Sequence, residues 1–299
     1  MKIGVVMMLV ELSSLNRAYH WSEIRDLAQI IDAGSFDSLW VYDHLLYRSK
    51  RGKTTGIWEG WSMLSALAAV TQRVELGTLV ACNSFRNPAI LAKMAHTVDE
   101  ISGGRLILGV GAGWNQPEYE AFGLPFDHRV SRMEEALQII QPLLKSGQVD
   151  FSGQYYTARD CEISPRSPRP GGIPLMVGTA SPRMMRLTAH YADIWNTCYT
   201  TIPRSAETRR KAFMKACRDE GREVSSIQFS YTASLAFPQW LDWNTEKKRG
   251  YLSGTPTELA QALQEYTAMG TDHIMFHINP FRVETIQTLA EAVALYRGE

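Results

Sequence analysis

Cysteine is scarce in this chain of 299 residues: there are four, Cys82, Cys161, Cys198 and Cys217. None forms a CxxC pair, so neither a disulfide framework nor a zinc site is implied. Charge of one sign is missing too, with 31 Lys and Arg against 31 Asp and Glu. That balance leaves no electrostatic footprint for nucleic acid or an anionic membrane. No apolar run approaches the ~20 residues that a bilayer-spanning helix needs. Residues Ile3–Val10 are apolar behind Lys2, but the run is short, meets Glu11 and has no small-residue cleavage site. It reads as a first strand rather than a signal peptide, and the cytoplasm is the expected compartment. There is no G-x-S-x-G elbow for a serine hydrolase and no H-E-x-x-H metal motif. No low-complexity linker divides the chain, so one domain over 1–299 is expected. The partner expected is a small-molecule substrate, not nucleic acid or membrane, and a homodimer is left open.

What is present is repetition. Eight apolar runs, Lys2–Met8, Ser38–His44, Val74–Val80, Arg105–Trp114, Leu175–Ala180, Ile194–Cys198, Ile227–Phe237 and His273–Pro280, alternate with helix-patterned stretches. Near-continuous apolar runs suit parallel strands covered on both faces. The pattern predicts an α/β fold, a (β/α)8 TIM barrel, whose active site is built from the loops that follow the strands. The helices carry their own punctuation. Ile24, Leu27 and Ile31 repeat at helical spacing until Gly34. Asn87-Pro88 and Ser181-Pro182 put an N-cap before a proline at the first helical position. Thr255-Pro256-Thr257-Glu258 is a capping box. Gly103-Gly104 and Gly270 end two further helices, and Val283–Arg297 closes the chain.

Insertions are expected after strands 2, 4 and 7. Leu45–Gly60 carries Arg48, Lys50, Arg51 and Lys53, which suits either a solvated loop or a lid that attracts an anionic ligand. Asn115–Val130 is broken by Pro117, Gly123 and Pro125. Pro238–Gly254 carries Trp240 and Trp243, which could wall an apolar pocket or merely pin the loop. Val149–Pro174 follows a helix and reads as a hairpin at the opposite face or edge of the barrel.

Gly109-Val-Gly-Ala-Gly-Trp114 is not a Rossmann fingerprint, because Trp114 takes the last glycine's place and breakers follow. Glycines at a strand end still let a flat ring or phosphate approach the backbone. Gly178-Thr-Ala-Ser181-Pro182 joins a strand end to a helix start, where free N–H groups and the helix dipole favour an anion. An ordinary serine cap reads the same way. Asp43-His44 ends the second strand; a carboxylate can set an imidazole's tautomer, although neighbours in a strand point to opposite faces. His273 and His277 have metal-like spacing, but on a strand they lie ~13 Å apart at ~3.3 Å per residue, too far for one ion.

Several segments together resemble the bacterial luciferase-like flavin monooxygenase superfamily. They are Leu76-Gly-Thr-Leu-Val80, Phe85-Arg-Asn-Pro88, Gly104–Trp114, Arg132-Met-Glu-Glu-Ala136, Met176-Val-Gly-Thr-Ala-Ser181 and Ala192-Asp-Ile-Trp-Asn196. Within it the chain is most similar to the branch that uses the deazaflavin coenzyme F420. The resemblance implies a TIM barrel and a hydride transferred between F420 and an alcohol, a carbonyl or an activated alkene. Alternatives are a monooxygenase using reduced FMN, and a flavin- or deazaflavin-binding protein without turnover.

The resemblance also implies site residues. Asp43 and His44 match a pair near the reactive edge of the ring, with His44 the proton-handling residue. Leu79 and Val80 match a bulge behind the ring that holds a cis peptide, and Cys82 stands where the branch often has threonine. Gly111, Ala112 and Gly113 match the loop along the polyol chain. Gly178, Thr179, Ala180 and Ser181 match a phosphate turn. Trp114 stands where glucose 6-phosphate oxidising members have an acid, and Arg48 where they have tryptophan. A mouth with Trp58, Trp61, Trp114 and Trp240 suits a flatter, more apolar substrate.

Overall fold

Eight strands are predicted from the sequence, and the fold closes them into a ring. A computed structural model describes residues 1–12, 15–49, 51–198, 203–237 and 251–299. The barrel strands are β1 (Lys2–Val6), β2 (Ser38–Val41), β3 (Glu75–Thr78), β4 (Leu106–Gly111), β5 (Leu175–Gly178), β6 (Ile194–Cys198), β7 (Gln228–Ala236) and β8 (His273–Asn279). Each pairs in parallel with the next, and β8 returns to β1. Helices α1 (Trp21–Ala33), α2 (Gly60–Val70), α3 (Pro88–Ile101), α4 (Gln116–Ala121), α5 (Arg129–Lys145), α6 (Pro182–Tyr191), α7 (Pro203–Asp219), α8 (Pro256–Ala268) and α9 (Val283–Arg297) follow the strands. This is a (β/α)8 barrel.

The barrel interior is a packed plug, as the architecture requires. Val6, Trp40, Ile107, Met176, Ile194 and Met275 form it, with Tyr42, Leu79 and Val80 packed on top. Trp40 fits because two neighbours lack side chains: a Cβ at Gly77 would overlap its ring, and one at Gly4 would lie 2.9 Å from Nε1. Below the plug, Trp40 Nε1 donates to Ser38 Oγ at 2.7 Å, and Ser38 Oγ lies 2.7 Å from His273 Nε2. These buried polar atoms satisfy one another, which removes most of their desolvation cost. Larger helix-facing residues such as Ile24, Leu27 and Ile31 build the outer core.

The caps follow the sequence with one exception. Asn87 accepts from the N–H groups of Ala89 and Ile90, and Thr255 with Glu258 completes its capping box. Ser181 occupies the N-cap of α6, but its side chain makes no cap bond.

The structure refines two expectations. The insertion after β4 contains a short helix, Gln116–Ala121. The hairpin, Gln148–Ser152 against Thr157–Glu162, lies along the edge, one of the two places expected for it. The N–H groups of Gln154, Tyr155 and Tyr156 donate to the Glu135 carboxylate at 2.7, 2.8 and 3.0 Å. Tyr156 Oη also accepts from Asn83, just beyond β3, at 3.4 Å. The hairpin therefore climbs the barrel flank along α5 and ends at the rim.

Candidate active site

The floor of the mouth begins where β3 ends. Leu79 and Val80 are partly buried on the plug, and their peptide bond is cis, as the resemblance implied. Val80 is wedged against β4 and β5: a Cβ at Gly111 would lie 2.7 Å from Val80 Cγ2, and one at Gly178 would lie 3.0 Å from Cγ1. A side chain at either glycine would crowd Val80, so the strand-end glycines leave this part of the floor to Val80. Gly113 has φ +77°, and a Cβ there would run into Tyr119 Oη and Cys82 Sγ. Ala112 O accepts from Tyr119 Oη at 3.3 Å, and Arg129 donates to Gly113 O at 2.9 Å, so the glycine loop is held from outside. Cys82 Sγ lies 2.9 Å from Tyr119 Oη, and burial pushes its thiol up to about 12. It stays protonated and is a packing residue, not a nucleophile.

At the end of β2 alternation separates Asp43 from His44. Asp43 is buried and turned outward, its carboxylate taking two bonds from Arg86, at 2.7 and 3.1 Å, and one from Cys82 N–H at 2.8 Å. Burial raises its carboxyl above the ordinary range while the Arg86 guanidinium opposes that rise. Arg86 also reaches Glu59 at 2.6 Å, the residue that caps α2. Asp43 thus ties the β2 and β3 ends together and makes no bond to His44.

His44 finds its carboxylate elsewhere. Nδ1 lies 3.0 and 3.2 Å from the oxygens of Glu118 on α4, which also accept from Leu45 N–H at 3.0 Å. Glu118 is 1% exposed. A carboxylate can only accept, so Nδ1 carries a proton and Nε2 is the atom left to exchange one. The imidazole sits between Tyr47, at 4.7 Å, and Trp114, at 5.5 Å between ring centres. Asn115 Nδ2 donates to Leu46 O at 2.9 Å and fastens α4 to the chain beyond His44.

The β5 turn is exposed at Ala180 and Ser181. Thr179 Oγ1 accepts from Ser181 N–H at 3.1 Å, and Trp195 Nε1 donates to Thr179 O at 3.2 Å. The Thr179 hydroxyl thus serves the turn itself, while the Ser181 hydroxyl points at no helix N–H.

The tryptophans separate. Trp58 and Trp114 stand on the rim, 46% and 63% exposed. Trp61 is enclosed in the core under Arg86 and so cannot line a pocket, contrary to expectation, because its helix turns that face to the barrel. Trp240 lies outside the described residues. Arg48, Arg51 and Lys53 are exposed on a short ribbon, Tyr47–Arg48 against Thr54–Thr55.

Across the mouth the inward positions are polar. Asn196 donates to Ser230 Oγ at 3.0 Å and to Thr232 Oγ1 at 3.4 Å. Tyr42 Oη lies 2.7 Å from His277 Nδ1. The sequence reading missed Glu118, Arg86 and the Tyr42–His277 pair. Only Glu118 left a trace, as an acid in the first turn after Asn115 and Pro117.

The family model for luciferase-like monooxygenases matches residues 1–238. The chain belongs to that family. The superfamily recognised from its motifs is thus shown. The pyrimidine monooxygenase RutA of Yersinia enterocolitica is 34% identical over 237 residues, which are 74% of this chain and 61% of that relative. The chain thus spans less than two thirds of that curated relative. An F420-dependent secondary alcohol dehydrogenase superposes with a TM-score of 0.81 at 18% identity, covering 99% of both chains. EDTA monooxygenase from Chelativorans sp. BNC1 does so at 0.81 and 13%, covering 100% of this chain and 93% of its own. These two likenesses bear on the luciferase-like barrel alone. No helix among the described residues is long and apolar enough to cross a membrane.

Proposed function

We propose that the protein transfers a hydride between coenzyme F420 and a small organic substrate, an alcohol, a carbonyl compound or an activated alkene. The observation that carries the cofactor choice is the ribbon beside the mouth. Arg48, Arg51 and Lys53 are exposed there, and none is in an ion pair among the described residues. Such a patch suits a cofactor with an acidic tail longer than one phosphate. The remaining residues fit the same group. Leu79 and Val80 would back a flat ring, with Gly111, Ala112, Gly113 and Gly178 leaving room beside it. Ser181 and the N-terminus of α6 would receive a phosphate, Thr179 and Ala180 shaping the turn.

Bound there, coenzyme F420 would supply the hydride chemistry. The chain's own contribution is orientation and proton handling. His44 Nε2 would take a proton from an alcohol oxygen or return one to it, with Glu118 holding the tautomer. Trp58 and Trp114 would cover the mouth and exclude water. Asp43 and Cys82 act behind this surface, as the clamp and packing that hold the β3 end.

A second reading, a monooxygenase using reduced FMN, is favoured by the 34% identity to a pyrimidine monooxygenase. Titration of the purified protein with each cofactor separates them. Tighter binding of F420 than of FMN is expected, with an affinity that falls as salt is raised. An FMN affinity equal or better overturns the F420 reading and leaves the fold intact.

A further inference from the structure

Two strands round the barrel from His44, the mouth holds a second imidazole that the reaction above leaves unused. His277 is on the inward face of β8, beside Ser234 of β7, and Tyr42 follows β2 on the same inward face as His44. The pair lies on top of the interior plug, against which Tyr42 packs. The rings stack with centres 4.8 Å apart and planes 25° from parallel, and Tyr42 Oη is 2.7 Å from His277 Nδ1. Two stacked rings joined by a hydrogen bond have little freedom, so the imidazole's outward edge is fixed. That edge is Nε2. It has no partner among the described residues, and it is not among the sealed, unsatisfied polar atoms.

The partner decides what Nε2 offers. A phenol O–H is a stronger donor than a neutral imidazole N–H, so Tyr42 donates to Nδ1 and the ring proton sits on Nε2. Burial pushes the His277 imidazole down to about 4, which keeps the ring neutral. His44 is wired the other way, because Glu118 at Nδ1 forces the proton there and leaves Nε2 as the acceptor. The mouth therefore has one imidazole that accepts and one that donates.

We infer that His277 is a substrate-binding residue that donates its Nε2–H to a carbonyl oxygen, with Tyr42 as the positioning residue that fixes its tautomer. The substrate class is a carbonyl compound, whose oxygen is the acceptor that this N–H matches. The inference rests on the reading of this mouth as the reaction site, but not on which cofactor occupies it. No proton need leave His277; its N–H polarises the carbonyl as negative charge grows on the oxygen.

The test reads the ring nitrogens directly. Protein labelled with 15N-histidine, without cofactor, is examined by long-range proton–nitrogen correlation, with His277→Asn and His44→Asn assigning the two signals. The expected result is an Nε2–H tautomer for His277 and an Nδ1–H arrangement for His44. Tyr42→Phe should turn the His277 signal into a tautomer mixture. Cyclohexenone should shift the His277 Nε2–H signal, and cyclohexene, of similar shape without the oxygen, should not. An Nδ1–H tautomer at His277 in the wild type overturns the inference without needing any variant to fold. So does a signal indifferent to cyclohexenone, or one that responds equally to cyclohexene. Because no cofactor is present, these outcomes are independent of the F420 and FMN titrations.

Discussion

On the β3–β5 side of the mouth the inward positions are Leu79, Gly109, Gly111 and Gly178, with Val80 wedged among the glycines. On the β6–β8 side they are Asn196, Cys198, Thr232, Ser234 and His277, and Tyr42 joins them from β2. One side has almost no functional groups and the other has little else. Parallel strands of one barrel differ this sharply only if the two sides meet different things. A bare, flat wall suits a ring held by its face, where a protruding side chain would only obstruct. A polar wall suits a molecule recognised through its edge, by hydrogen bonds.

The largest expected effect breaks the proton handling at the end of β2, where His44 adjoins the polar side through Tyr42. His44→Ala should leave folding and cofactor binding near normal and slow turnover by about 10²–10⁴-fold, the usual loss for a general acid or base. Single-turnover hydride transfer at saturating cofactor is the measurement. A rate restored by saturation would mean that His44 only packs against the ring. Glu118→Gln should give a smaller loss, since an amide can donate as well as accept and no longer dictates the tautomer.

The bare side should respond through affinity instead. Gly111 does not have a positive φ, so alanine is allowed by the backbone there, but its Cβ would lie 2.7 Å from Val80 Cγ2. Val80 must move into the floor. Gly111→Ala is expected to weaken cofactor binding about tenfold, equal to ~1.4 kcal/mol, while turnover at saturation changes little. If affinity holds and turnover falls, the assignment of the two sides is reversed.

How much of this was legible differs between the sides for a physical reason. The bare side is local. Glycines, a strand end and a proline-capped helix are adjacent in sequence, so Gly109–Gly113 and Gly178–Ser181 could be read where they stand. The polar side is assembled across the barrel. Tyr42 meets His277 from a strand that is not its neighbour, and no spacing records that contact. His273 and His277 drew attention as a pair, yet they belong to different levels, one below the plug with Ser38 and one above it with Tyr42. Glu118 leaves only a first-turn acid as its trace, because a six-residue helix is too short to show a period. The barrel itself was legible because its signal is repeated eight times, whereas each of these contacts occurs once.

The two histidines also give the molecule an acid sensitivity. Burial pushes His273 down to about 3 and His277 to about 4, from an ordinary 6.5. Between 6.5 and about 4 the unfolded chain therefore binds protons that the folded chain refuses. Stability is expected to fall as pH drops through that window, by up to about 1.4 kcal/mol per pH unit for the fully buried His273 and by less for His277. Urea unfolding at stepped pH values checks this. His277→Asn should make the curve shallower, and an unchanged slope would show that folding does not alter the protonation of His277.

The smallest effect concerns the edge where the bare side meets solvent. A serine that caps a helix through its side chain contributes ~1 kcal/mol. Ser181 makes no such bond, so Ser181→Ala should barely move the melting temperature. If the free hydroxyl instead serves a phosphate, the same change removes one hydrogen bond to the cofactor, of ~0.5–1.5 kcal/mol. Affinity should then drop by roughly two- to tenfold. Melting and titration on the same preparation distinguish the roles. A lower melting temperature with unchanged affinity would return Ser181 to the role of a plain cap and leave the exposed N–H groups of α6 to hold the phosphate alone.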